Sequence, residues 1–250
     1  MWVGWRLYLK SLMLSGFYVF TSLFMPLLVS TIAFYMFRAG ERSNSLLYAA
    51  LGAGVYGIWS STLYGSAGAL QWQRWQGTLE VLVAAPAPLP LVLLPLTVAT
   101  ASIGVYSLAA TLLWGRLLFG VPLHFAHPLL FVASVPAAIL GLGLLGFLLA
   151  SSFILYRYAG ALANMVEWPV LFVTGLLVPI SLLPAWSRPI SWLLVPTWGM
   201  RSIRDSALGG SPLPALGMTL LLGAIYFVLG VIFLARFERL ARKKATLSLT

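Results

Sequence analysis

The stretch Leu129–Tyr156, LLFVASVPAAILGLGLLGFLLASSFILY, contains no charged side chain, and its reading decides the fold. As an α-helix rising 1.5 Å per residue it outruns the roughly 30 Å hydrocarbon core of a bilayer. A lipid-facing barrel strand would alternate apolar and polar residues over short segments, whereas this run is continuously apolar. A helix in lipid fits it, and the rest of the chain repeats the pattern. Charge-free runs extend over Ser11–Phe37, Ser43–Gln73, Val81–Gly115, Leu117–Tyr156, Trp168–Ser187 and Ser206–Ala235. Hydrophobic residues make up 61% of the sequence and charged residues 8%, against about a quarter charged in soluble domains. Apolar side chains left over after filling one aqueous core would have to face water, so a soluble enzyme is excluded.

These runs predict an all-α membrane protein with six transmembrane helices in one domain over residues 1–250. The spans are expected near 15–37, 46–70, 91–119 and 129–156, then one from about Ala161 and one following Pro214. The Trp168–Ser187 run carries Pro169, Pro179 and Pro184, so the fifth helix is expected to break. Six spans place both termini on one side, and the basic tail Arg236, Arg239, Arg242, Lys243, Lys244 marks it as cytoplasmic. A net charge of +10 is then a matter of anchoring on anionic lipid, and no nucleic-acid partner is expected. With no cysteine and two histidines, no metal site is expected. The first span lacks a small-residue cleavage site and is read as retained.

Residues 1–12, with Trp2, Trp5, Tyr8 and Leu12 around Arg6 and Lys10, read as an amphipathic helix in the membrane interface, or else as an extension of the first span. Residues 71–90 form the most polar internal stretch, Gln71 to Gln76 followed by Gly77, and are expected on the cytoplasmic side. Residues 176–200, with Pro179, Pro184, Pro189 and Pro196, are expected as short re-entrant helices on the external side, shielded by protein because irregular backbone at that depth cannot face lipid. Arg201 to Pro214 is expected to be a polar external loop. Ser60, Ser61, Thr62 and Tyr64 would either line a conduit or bond to helix backbone.

No Walker-type phosphate loop, hydrolase triad or metalloprotease motif is present, so no catalytic residues are assigned and the chain is not expected to be an enzyme. Of the five acids, Glu41, Glu80, Glu167, Asp205 and Glu238, only Glu167 sits inside a span. An intramembrane ionisable group costs about 2.5–3.5 kcal/mol on insertion scales and marks a functional site by default. Pairing with Arg157, or a position at headgroup level, would account for it otherwise.

The segment Gly77, Thr78, Leu79, Glu80, Leu82, Ala85, Pro86 resembles the Gly-Thr-Leu-Glu-x-Leu-x-x-x-Pro signature of membrane subunits of ATP-binding cassette exporters of the type-2 permease family. The run Gly175, Pro179, Ile180, Ser181, Leu183, Pro184, Trp186, Pro189, Ile190, Leu193, Pro196, Thr197 is similar to that family's broken outer segment. The acidic residue common before the Gly-Thr pair is replaced by Gln73 to Gln76, and the basic residue often opening the third span is missing around Leu91 to Pro95.

The resemblance implies a permease subunit of a bacterial plasma (inner) membrane, exporting a hydrophobic or amphipathic substrate. Its partners would be a second permease copy, identical or related, the lipid bilayer, and a separate subunit that binds ATP and Mg; this chain itself would bind no cofactor. Arg74, Gly77, Thr78, Leu79, Glu80, Leu82 and Pro86 would couple to that subunit. Phe24, Tyr56, Trp59, Asn164, Glu167, Phe172 and Thr174 would be candidates for the substrate pathway. An ion-coupled secondary transporter is the alternative, which should show several intramembrane acids and an inverted repeat.

Overall fold

A computed structural model describes residues 2–38, 43–75, 77, 89–153, 159–176 and 179–244. Among them there are helices and no strands. In chain order these are α1 (Trp2–Leu14), α2 (Gly16–Arg38), α3 (Ser43–Trp75), α4 (Leu89–Phe119), α5 (Pro128–Phe153), α6 (Ala159–Val173), a 3₁₀ turn (Ile180–Leu182), α7 (Ser187–Trp192), α8 (Val195–Leu208) and α9 (Pro212–Lys244). Segments of α2, α3, α4, α5 and α9 are long and apolar enough to cross a membrane, and α6 is a shorter apolar helix. The chain is a multi-pass membrane protein.

The bundle is centred on α3, whose residues from Leu47 to Ala67 are almost all buried. It can be enclosed this way because its glycines let neighbouring backbones approach. A Cβ on Gly57 would overlap the Ser107 side chain, and one on Gly104 of α4 would overlap the Ile58 backbone. Small residues are the usual device where helices associate in lipid by close packing. The helices α3 and α4 run antiparallel, and Ser61 Oγ of α3 donates to the Thr100 carbonyl across the contact, 3.1 Å. Along another side of α3 lies α2, with Tyr18 Oη donating to Ser61 O at 2.8 Å. Of the other hydroxyls considered above, Thr62 donates to its own helix at Ile58 O.

The N-terminal helix α1 leans on α4. Trp5 Nε1 donates to Ser102 Oγ at 3.2 Å, and a Cβ on Gly4 would meet Pro95. Helix α3 continues through Gln71 to Trp75 and carries Arg74 in its last turn, after which Gly77 adopts φ 66°. Thr78, Leu79, Glu80, Leu82 and Pro86, expected to couple to an ATP-binding subunit, lie outside the described residues, as does Arg157.

The break expected in the fifth apolar stretch falls at Gly175 and not at Pro169. Pro169 sits inside α6, where a proline removes one backbone donor and crowds the carbonyl four residues back, yet the helix runs on to Val173. Gly175 turns the chain at φ 77°, a left-handed conformation that costs glycine little. Residues Arg201 to Leu208, expected as loop, are the second half of α8. Pro196 opens this helix, and Gly209 at φ 95° ends it, donating to Asp205 O. Its last turn is further capped by the 120–127 connection, since Ala126 N donates to Ala207 O and His127 N to Ser206 O.

Candidate functional site

Every fourth residue of α3 from Tyr48 to Tyr64 falls on one stripe, because a helix returns to the same face after about 3.6 residues. The stripe reads Tyr48, Gly52, Tyr56, Ser60, Tyr64, and α6 with its following turn packs along it. Each end of this contact holds one buried charge.

At one end is Glu167 of α6, 4% exposed. Tyr56 Oη and Ser60 Oγ each donate to its Oε1 at 2.9 Å, and Tyr64 Oη is hydrogen-bonded to its Oε2. Tyr64 Oη also lies 2.7 Å from Asn164 Oδ1, one turn earlier on α6, while Asn164 Nδ2 donates to Gly160 O at 3.1 Å. Among the described residues no cation lies within ion-pair distance of Glu167. Hydroxyls solvate the carboxylate in place of water, which is how a polar group is retained at such depth. The cluster reaches the protein surface through half-buried Tyr64 and exposed Asn164.

At the other end is Arg204 of α8, 8% exposed. Its Nη1 donates to Gly175 O at 2.6 Å and its Nη2 to Leu176 O at 2.5 Å, with Tyr48 O at 3.4 Å from Nη2. The guanidinium carbon lies 3.3 Å from the centre of the Tyr48 ring, a cation–π contact. Gly52 makes room for this arrangement, since a Cβ there would overlap the Leu176 carbonyl oxygen and come within 2.8 Å of Arg204 Nη2. Ser191 of α7 adds a third donor, to Val173 O at 2.6 Å. The carbonyls freed where α6 stops are thus taken by side chains of α7 and α8. Beside Arg204 opens a cavity of about 300 Å³ between Ile180, Thr197, Met200 and Leu208. At its mouth Arg201 and Asp205 pair at 3.6 Å; burial pushes the Asp205 carboxyl up and Arg201 offsets part of that rise.

The pathway candidates separate into two groups. Phe24, Asn164 and Phe172 are on the protein surface, whereas Tyr56, Trp59, Glu167 and Thr174 are buried. Tyr56, Asn164 and Glu167 are brought together in one cluster. Trp59 is packed in the core, and Thr174 donates to Val170 O of its own helix. Phe24 stacks on Phe20 along the exposed side of α2, and Phe172 lies 6.5 Å from Trp168 on the exposed side of α6. Pro179 precedes the 3₁₀ turn, Pro184 precedes α7, Pro189 lies within α7, and Pro196 lies in the first turn of α8.

Sequence reasoning left the roles of Ser60 and Tyr64 open and placed Arg204 in a loop. The spacing Tyr56, Ser60, Tyr64 on one face opposite a lone intramembrane acid was the available signal for the first two. Proline at the start and glycine just past the end of 196–209 was the signal for the helix that carries Arg204.

A search among curated proteins finds no match to the chain. The family model described as ABC-2 type transporter matches residues 1–208, so the chain belongs to the ABC-2 type transporter family, whose members supply the membrane domain of ATP-binding cassette transporters.

Proposed function

We propose that the chain is the permease subunit of an exporter that moves a hydrophobic or amphipathic substrate out of a bacterial cell, driven by ATP and Mg bound on a separate subunit. Family membership over 208 of 250 residues carries this reading. The shape of α3 supports it. At 33 residues it is about 50 Å long, so its polar end at Gln71 to Trp75 projects beyond the hydrocarbon. There it would present Arg74 and the Gly77–Pro86 stretch of sequence to a soluble partner, on the cytoplasmic side that both termini would share. α1, leaning on α4, would lie where that side of the bilayer meets water.

The substrate path would run between two copies of the chain. The helices α2 and α6 flank α3 and turn bulky apolar side chains outward, Phe20, Phe24, Met25 and Ile32 from one, Met165, Trp168 and Phe172 from the other. A second copy would cover part of these faces. Closure of the ATP-bound partners would favour one arrangement of the two permeases and hydrolysis the other.

The test is reconstitution. Vesicles holding this chain and a co-purifying ATPase should move a lipid or lipophilic drug in an ATP-dependent way. Replacing Gly77–Pro86 with a Gly-Ser linker should abolish co-purification and leave membrane insertion unchanged. Retained co-purification would remove the coupling role from this segment.

A further inference from the structure

The Tyr64 hydroxyl has one hydrogen to give and two acceptors within reach, Glu167 Oε2 and Asn164 Oδ1. Tyr56 and Ser60 both donate to the other carboxylate oxygen. The Asn164 amide is oriented by its own bond to Gly160 O, so its oxygen does face Tyr64. With the Glu167 carboxyl ionised, one acceptor lacks a hydrogen, and no cation lies in ion-pair reach of it among the described residues. A site short of both a donor and a positive charge is complementary to a group that supplies both.

The surroundings narrow that group further. Asn164, Trp168 and Phe172 follow one another at four-residue spacing on the exposed face of α6, with Trp168 55% and Phe172 56% exposed. An aromatic face beside a buried carboxylate attracts organic cations, and the Trp168–Phe172 pair offers an apolar surface about one helical turn long.

We infer that the rim formed by Tyr64, Asn164, Trp168 and Phe172 binds an alkylammonium cation. Its N–H groups donate to Asn164 Oδ1 and to the Tyr64–Glu167 pair, Glu167 balances its charge, and its alkyl chain lies along Trp168 and Phe172. This deepens the export reading, on which alone the site's description as a substrate site rests.

The experiment is equilibrium binding of radiolabelled dodecylamine, which is cationic at pH 7, to the chain in zwitterionic nanodiscs with no ATPase present. Empty nanodiscs correct for partitioning, and dodecanol and dodecyltrimethylammonium serve as competitors. Dodecylamine should bind saturably, with dodecanol at least tenfold weaker and dodecyltrimethylammonium between them because it carries the charge without N–H donors. Glu167→Gln should erase the preference for amine over alcohol. Asn164→Leu, a change at an exposed position, should weaken amine binding with the melting temperature unchanged, and it decides the matter if Glu167→Gln does not fold. Equal binding of amine and alcohol, as expected if a proton on Glu167 supplies the missing hydrogen, would overturn the inference, as would unaltered selectivity in both variants. Selective binding with no ATP-dependent transport would leave the site standing and remove the export reading.

Discussion

Glu167 and Arg204 are both single buried charges at the face of α3, and they are solvated by opposite means. Arg204 is met by backbone carbonyls of Gly175 and Leu176 and by the Tyr48 ring, none of which can be spared without refolding the turn. Glu167 is met by side-chain hydroxyls of Tyr56, Ser60 and Tyr64, whose hydrogens can turn toward another acceptor. The carbonyls of the turn leave Arg204 one arrangement, whereas the hydroxyls around Glu167 leave its hydrogen bonding open to rearrangement. The pair thus divides the α3–α6 contact into a fixed end and an adjustable one.

The largest expected effect tests the fixed end. Arg204→Met orphans two buried carbonyls, each costing about 1–3 kcal/mol, and should abolish or sharply lower the yield of folded protein, read as the melting temperature in nanodiscs. Arg204→Lys should recover only part of the loss, because a point donor cannot span two carbonyls as a planar fork does. Gly52→Val should resemble Arg204→Met, since its side chain takes the space of the Leu176 carbonyl.

Next comes Glu167→Gln, which keeps an acceptor for Tyr56 and Ser60. It should change stability by no more than about 1 kcal/mol while lowering transport at least tenfold in vesicles. A loss of stability as large as that of Arg204→Met would break the comparison, making Glu167 a second structural post. Tyr64→Phe removes one hydrogen bond and should cost about 0.5–1.5 kcal/mol, with Asn164 and Glu167 left free to rearrange. The smallest effect is expected from Arg201→Ala at the exposed pair with Asp205, about 0.2–1 kcal/mol, measured by the same melting curves.

The two ends also differed in how far they could be read from sequence. The spans themselves were plain, because continuous apolar runs such as Leu129–Tyr156 admit one structure in lipid. Glu167 stood out as an acid within such a run. Its partners lie 103 to 111 residues away in the chain, and which faces of two uniformly apolar helices meet is a packing outcome that hydropathy does not encode. Arg204 was concealed for the opposite reason. It sits in a stretch of mixed polarity, Met200 to Ser206, that looks like surface, and burial there depends on the glycine gap at position 52. Prolines announced that the fifth crossing breaks, but the place of the break was set by Gly175, the residue able to take a positive φ.

That break has a consequence for synthesis in the cell. α6 has 15 residues, about 22 Å of helix, too short to cross the hydrocarbon alone, and the carbonyls at and just past its end, those of Val173, Gly175 and Leu176, wait for donors encoded later in the chain, at Ser191 and Arg204. Until the ribosome has released α8, the fifth segment has no satisfied resting state in lipid, so it must be held by the insertion machinery or by α3. Ribosome arrest while α8 is still inside the ribosome should leave the first four apolar helices protected from protease and the fifth segment still open, while arrest after α8 has emerged should close it.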